Sequence, residues 1–437
     1  MLKDHALEIY DAAIKAVQPQ WLLPSYIKLY RSELILGQQR FSLNEIQSIF
    51  LLSVGKAAAA MAQEAEKILG ERISDSLVIT KYGHNLPLKN SRSIEAGHPV
   101  PDENSIRAGD EVRKLLQAKH ENDIVIALIS GGASALMSDF PPGCSLKELQ
   151  QLNQLLLQAG ADIKEINTVR KHVSLLKGGQ LTKLACPATV VAFLLSDVSG
   201  DPLGIIASGP TVADHSTFQD AWHILEKYNL TDKTGNGIRQ WLQKGVQNKI
   251  DEIPKPGDKI FDKTFNYLIG SNVIALKAAE AKARELGYYC RILNDKMQGE
   301  AKEEAVKFIQ QLIGYNGAKP VCILMGGETT VTIKGKGRGG RNQEFVLAAL
   351  CEMMNLSPFK PAPVVLSAGT DGTDGPTDAT GAVADAGLIQ KIKDKRIDPI
   401  VFLNNNDSYS FFKQAGGHII TGPTHTNVMD VVIGLIP

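Results

Sequence analysis

Cysteine is scarce. The five in 437 residues, Cys144, Cys186, Cys290, Cys322 and Cys351, are odd in number, far apart and never form a C-x-x-C pair. That excludes a disulfide framework and a cysteine-based zinc site, and it fits a reduced cytoplasmic protein with buried thiols. No sign of charge dominates either: Lys plus Arg and Asp plus Glu both total 47, for a formal net charge of zero. An electrostatic partner such as nucleic acid or an anionic membrane is therefore not expected. No apolar run reaches the roughly 18 residues that a membrane span needs. The opening "MLKDHALEIYDAAIKAVQPQ" scatters its charges through an amphipathic helical pattern, so neither export nor insertion is expected. There is no G-x-x-x-x-G-K-[ST], hence no P-loop. The histidines His98, His172, His418 and His425 lack metal-ligand spacing, and His98, in the Pro-rich "GHPVPDENS", reads as one more structural or solvated histidine.

What is present is an α/β rhythm. Short apolar runs such as "IFLLSVG", "DIVIALISGG", "TVVAFLLSD", "FNYLIGS", "PVCILMGGE" and "PVVLSAGTD" alternate with helical patterns such as "KAAAAMAQEAEKILG" and "NVIALKAAEAKARELG". Runs of this kind are strands buried on both faces by crossover helices, so mainly parallel sheets are expected. The length exceeds what one hydrophobic core usually serves. A shift to Pro, Gly and Lys within "GVQNKIDEIPKPGDKIFDK" sets a boundary at about 250 to 262, giving domains 1–255 and 256–437 with a fresh strand starting at Phe265.

Most of these strands end in small polar residues: "SVGK", "SGGAS", "SDVSGD", "GSN", "MGGET" and "SAGTDG". Ligands of open α/β sheets bind beyond the carboxyl ends of strands, where helix N-termini point. Strand ends in both halves point to a ligand held between two domains, although tight turns alone explain part of the pattern. Lys56 begins an alanine-rich helix, where a cation opposes the helix dipole unless it reaches an anion. Ser130, Gly131, Gly132, Ala133 and Ser134 form a loop whose backbone N–H groups can approach an oxyanion. Gly326, Gly327, Glu328 and Thr329 close another strand, and "KGKGRGGRN" then brings Lys334, Lys336, Arg338 and Arg341 together on glycines. A polyphosphate would relieve their mutual repulsion. Gly335, Gly337 and Gly340 also satisfy G-x-G-x-x-G before a helix, which leaves a dinucleotide-binding dehydrogenase open.

The densest polar stretch is "SAGTDGTDGPTDATG", Ser367 to Gly381. Counted from Asp371, the third, fifth and twelfth positions are Thr373, Gly375 and Ala382, so it is no EF-hand. Asp371 and Asp374 beside a strand end suit Mg²⁺ completed by water and phosphate, and Asp197 and Asp201 form a second acidic turn. An Asx-turn is the simpler alternative for each. Cations and N–H donors for phosphate, with carboxylates for a metal, are the parts of phosphoryl transfer.

The ordered motifs "SVGKAAAAMA", "GHPVPDENS", "ISGGASALM", "INTVRKHVSLLKGGQL", "LLSDVSGDPLGIIASGPT", "MGGETTVTIKGKGRGGRNQE" and "SAGTDGTDGPTDATGAVAD" resemble the class II glycerate kinases, the MOFRL family, from about residue 5 to the C-terminus. The resemblance implies two α/β domains, the first Rossmann-like and the second MOFRL-type, with the active site in the interdomain cleft, and ATP-dependent phosphorylation of D-glycerate to 2-phosphoglycerate. It places Lys56 and Arg341 against substrate carboxylate or transferring phosphate, with Asp197 as the third catalytic candidate. ATP phosphates fall to Ser130–Ser134 and to Gly326, Gly327, Glu328 and Thr329, and Mg²⁺ to Asp371 and Asp374. Glycerate and ATP are then the partners, in the cytoplasm, with a homodimer compatible. An NAD(P)H-dependent hydroxypyruvate reductase is the alternative, since related members carry that description, and a non-catalytic sugar-phosphate sensor is a third reading.

Overall fold

In the computed structural model, residues 2–356 and 362–437 are described. The chain forms two compact units, one of Leu22–Ile269 and one that joins the segment through Trp21 to Gly270–Pro437.

The Leu22–Ile269 unit is built on a six-stranded sheet. Its apolar runs Ile49–Val54, Ile124–Ile129 and Thr189–Leu195 became strands, joined by Ile73–Lys81 and Arg92–Ala96. The pairings among these five are all parallel. Every residue of Ile124–Ile129 is buried, as a central strand covered on both faces requires. The helices Ala58–Leu69 and Glu103–Leu116 follow strands, and the second is started by a capping box: Asp102 accepts from the Ser105 N–H while the Ser105 hydroxyl returns to the Asp102 N–H. A second core forms among Leu146–Gln158, Ile163–His172, Phe218–Lys227 and Asn236–Val246, with Leu152, Val169, Ala221 and Leu242 at its centre. Ser145 and Asp162 cap the first two of these helices.

The strand Thr264–Gly270 completes this first sheet at the edge next to Thr189–Leu195. The sequence boundary at 255/256 had assigned that strand to the second domain; the compact units divide instead at Ile269 and Gly270. The N-terminal helix Leu2–Ala16 belongs with the C-terminal unit. There the Tyr10 hydroxyl donates to the Gly369 carbonyl (2.6 Å), and Thr426 donates to the Val17 carbonyl (2.6 Å). Ala6, Ile9 and Ala13 of that helix are fully buried.

The second unit's sheet runs Tyr289–Met297, Val321–Gly327, Asp430–Ile436, Val364–Gly369, Gly381–Ala384, His418–Ile419. Only the first pairing is parallel; the other four are antiparallel. The expectation of mainly parallel sheets thus describes the first sheet and not the second. The reason is local. The "TDGTDGPTDAT" stretch returns its chain as a hairpin into Gly381–Ala384, and the C-terminal "DVVIGLI" enters the sheet's middle in the opposite direction. A fully apolar run carries no information about its direction.

Candidate active site

In the Leu22–Ile269 unit, strand ends and helix starts converge on a cavity of about 680 Å³. Gly132, Ser134 and Asp197, three of the residues singled out in the sequence, line it together with His98. Lys56 adjoins Gly132 of that lining. The Lys56 N–H donates to the Gly131 carbonyl (2.9 Å), and the Gly132 φ of +85° is one that glycine adopts without strain. A Cβ added at Gly132 would lie 2.9 Å from His98 Cδ2 and 3.5 Å from Lys56 Cγ, so His98, Gly132 and the Lys56 stem are mutual neighbours. Ser130 is fully buried and serves the fold: its hydroxyl oxygen accepts from the Ala57 N–H (3.1 Å), tying the loop to the start of helix Ala58–Leu69. Ser134 Oγ and Ser208 Oγ are 2.9 Å apart, and Ser208 donates to Asn167 Oδ1 (2.7 Å).

Sequence reasoning missed the cavity's cations. Arg170 and Lys177 line it, Lys177 with 4% of its surface exposed. Arg170 Nε donates to Asn153 Oδ1 (2.7 Å), and Lys177 Nζ donates to the Met137 carbonyl (3.2 Å). Asp139, also buried, stands 3.8 Å from Lys177 Nζ and accepts from the Ser174 hydroxyl and the Leu175 N–H. Burial pushes both Arg170 and Lys177 below their ordinary values, and Asp139 partly restores Lys177. Both cations sit in the quoted motif "INTVRKHVSLLKGGQL", where charge on a helical pattern reads as a solvated face.

The second unit gathers the other candidates at the ends of its strands. Arg341 makes a bidentate pair with Asp430, Nε to Oδ2 at 2.6 Å and Nη2 to Oδ1 at 2.8 Å, while Nη1 lies 2.7 Å from Glu328 Oε1. Asp430 is fully buried and opposite both Gly327 and Gly369 in the strand register. Burial opposes the Arg341 charge, but Asp430 and then Glu328 more than offset that, so the guanidinium is held even more firmly protonated than usual. Asp430 was not a candidate in the sequence, where it heads the apolar run "DVVIGLI" without a motif.

The glycine loop has a different use from the one its composition suggests. Lys334 and Gly335 donate their N–H groups to Asn406 Oδ1, Lys336 to Asn405 Oδ1, Gly337 to the Asn405 carbonyl and Arg338 to Asp407 Oδ1. A Cβ at Gly335 or Gly337 would fall 2.2 or 2.3 Å from atoms of Asn405 and Asp407. The spacing of the glycines follows from this close packing of chain on chain. Arg338 lies over the Tyr409 ring at 4.7 Å and donates to the Pro376 carbonyl (2.9 Å). Likewise Gly326 and Gly327 pack against Asn272 and Met297, where a Cβ would approach to 1.7 and 2.3 Å. Thr329 beside them is buried, while Glu328 is exposed.

Asp374 is buried, and its carboxylate accepts four hydrogen bonds: from the N–H and side-chain amide of Asn342 (3.0 and 3.3 Å) and from the N–H and side-chain amide of Gln343 (both 2.9 Å). It thereby satisfies the open N-terminus of helix Arg341–Asn355, whose preceding Gly340 has no side chain to do so. Burial raises its carboxyl above the usual range, with the N–H donors pulling the other way. Its acceptor positions are taken, so its donor set does not suit a metal. Asp374→Ala is expected to strand the Asn342 and Gln343 N–H groups and lower the unit's stability by about 3 kcal/mol, read as the urea midpoint. Asp371 accepts from the Thr373 N–H (3.0 Å) and hydroxyl (3.1 Å), an Asx-turn, and is only partly buried. Among the described residues no group of three or more His, Cys, Asp or Glu is placed to hold a metal. Mg²⁺ bound mainly through phosphates and water needs only one or two carboxylates, and Asp197 or Asp371 fits that requirement.

Residues 5–243 match the family model described as a domain of unknown function, DUF4147, and residues 321–430 match the MOFRL family. The chain is 40% identical to a D-glycerate 2-kinase of Thermotoga maritima, over 100% of this chain and 98% of that protein. It belongs to the class II glycerate kinases, the MOFRL family. The crystal structure of a glycerate kinase from Thermotoga maritima superposes on this class II glycerate kinase with a TM-score of 0.87 at 39% identity, covering 100% of this chain and 99% of that one. A protein of Agrobacterium vitis named a putative hydroxypyruvate reductase is 38% identical to the MOFRL chain over 87% of its length and 85% of that protein. Among the described residues of this family member, no helix is long and apolar enough to cross a membrane. Its cysteines are free; Cys322 is buried and Cys186, contrary to the expectation of buried thiols, is exposed.

Proposed function

We propose that the protein is a D-glycerate 2-kinase, transferring the γ-phosphoryl group of ATP to the 2-hydroxyl of D-glycerate to give 2-phosphoglycerate and ADP. The observation that carries this reading is the end-to-end 40% identity with a protein of that name. The Lys56 ammonium and the Arg341 guanidinium neutralise the substrate carboxylate and the charge on the transferring group, which in a loose transition state is spread over its oxygens. Glu328 is the exposed partner of Arg341, with 46% of its side chain accessible against none for Asp430. An incoming anion therefore competes with Glu328 for the Nη1 edge, while Asp430 keeps the guanidinium aimed. Asp197 orients the attacking hydroxyl, a modest task because phosphoryl transfer demands little of a base. The Ser130–Ser134 loop offers backbone N–H groups to phosphate. Asp197 or Asp371 would hold a Mg²⁺ ion that arrives with ATP, and the ion would supply neutralisation of the phosphate charge. Gly326 and Gly327, packed against Asn272 and Met297 with Thr329 buried beside them, hold the Glu328 strand end in place. A reducing cytoplasm suits the exposed thiol of Cys186.

The dehydrogenase alternative rested on Gly335, Gly337 and Gly340, and the close face of that loop is filled by Asn405, Asp407 and Asp374. ADP release from Mg·ATP that depends on D-glycerate is the expected result. Hydroxypyruvate-dependent oxidation of NADH or NADPH, with no glycerate-dependent ADP, would reverse the assignment.

A further inference from the structure

Two of the five cysteines, distant in sequence, are neighbours in the second unit's sheet. Strands Tyr289–Met297 and Val321–Gly327 pair in parallel, and their register sets Cys290 directly beside Cys322. Residues paired in this way project to the same face from backbones about 4.8 Å apart, inside the roughly 4.4–6.8 Å between Cα atoms that a disulfide spans. Val321 and Ile323, which flank Cys322, belong to the core that holds Phe308. Cys322 therefore projects from the opposite face, where its thiol is hydrogen-bonded with that of Cys290.

The two sulfurs differ in access. Tyr289–Met297 is the outermost strand of its sheet, and Cys290 on it is partly exposed, whereas Cys322 on the next strand is fully buried. The bond to Cys290, and then burial, hold the Cys322 thiol protonated well above its ordinary range. Burial also pushes Cys144 up to about 11 and Cys351 up to about 12, which leaves the exposed Cys186 as the rival of Cys290 for an oxidant.

We propose that Cys290 and Cys322 form a modification site, a thiol pair that hydrogen peroxide converts reversibly into a disulfide. The Cys290 sulfur attacks the peroxide, the O–O bond breaks, one water leaves and a sulfenic acid remains. The Cys322 sulfur then attacks the Cys290 sulfur and displaces the second water, its proton leaving with the oxygen. Two thiols lose two electrons and two protons, and one peroxide becomes two waters. A buried thiol within reach traps the sulfenic acid before it climbs to the irreversible sulfinic acid, and a small thiol reductant restores the pair through the accessible sulfur. This site is independent of the kinase reading.

The test uses the full-length Cys186→Ser variant, which removes the exposed rival. It is treated with a stoichiometric amount of hydrogen peroxide, unfolded in the presence of iodoacetamide, and mapped by peptide mass before and after dithiothreitol. Cys290 and Cys322 are expected to lose alkylation together and to appear as one linked peptide that dithiothreitol separates, while Cys144 and Cys351 are alkylated. Adding Cys290→Ser, at a partly exposed position, is expected to leave Cys322 alkylated. Full alkylation of both Cys290 and Cys322 overturns the proposal. So does Cys290 recovered as a sulfinic acid beside a free Cys322 thiol, or oxidation of Cys322 that persists without Cys290.

Discussion

Lys56→Ala lowers kcat/KM for glycerate phosphorylation by roughly two to four orders of magnitude, the range seen when a charge-stabilising group is removed from a transition state. The same variant melts within a few degrees of the wild type. Lys56 precedes the N-terminal turn of helix Ala58–Leu69, where a cation is unfavourable by about 0.3–1 kcal/mol, so its removal does not cost the helix. Two backbone N–H groups tie this loop down, that of Lys56 to the Gly131 carbonyl and that of Ala57 to the Ser130 hydroxyl, and alanine at position 56 retains both. A steady-state assay beside a thermal scan separates the two effects. Loss of activity with loss of fold would make Lys56 structural.

Arg341→Ala is expected to fail in both assays. Activity falls by a comparable factor, and stability falls as well, because Asp430 is fully buried and its carboxylate is answered by the Arg341 fork. Removing one partner of a buried ion pair costs about 3–5 kcal/mol, since it leaves the other charge uncompensated. The double variant Arg341→Met/Asp430→Leu removes both charges and is expected to recover most of that stability and none of the activity. Recovery of activity in the double variant would show that Arg341 acts only as the counter-ion of Asp430.

The contrast between Lys56 and Arg341 also shows how far the sequence was legible. Both were visible because each is a cation beside glycine, Lys56 just past a strand end and Arg341 at a helix start, patterns with chemical meaning on their own. Strands such as Ile124–Ile129 were visible because central burial leaves nothing but apolar residues in the run. What stayed hidden depends on distant partners. The use of the glycines in "KGKGRGGRN" became plain only when Asn405, Asn406 and Asp407 were seen to accept their N–H groups, although the run "NNND" offered a faint signal of side chains that bond to backbone. Asp374 lies in a loop with every mark of a metal ligand, and its engagement by Asn342 and Gln343 is a tertiary fact. Lys177 reads as surface and lies inside. The sixth strand of the first sheet, Thr264–Gly270, follows the Pro-rich stretch that composition marks as a boundary, and only its pairing assigns it to the first sheet.

The account stands on the product. Purified protein with D-glycerate, ATP and MgCl₂ is coupled directly to enolase, pyruvate kinase and lactate dehydrogenase, with phosphoglycerate mutase left out and a control without glycerate subtracted. An enolase-dependent loss of NADH is predicted, because 2-phosphoglycerate is what enolase consumes. Glycerate-dependent ADP with no enolase signal would place the phosphate on the 3-hydroxyl and contradict the assignment to the 2-position.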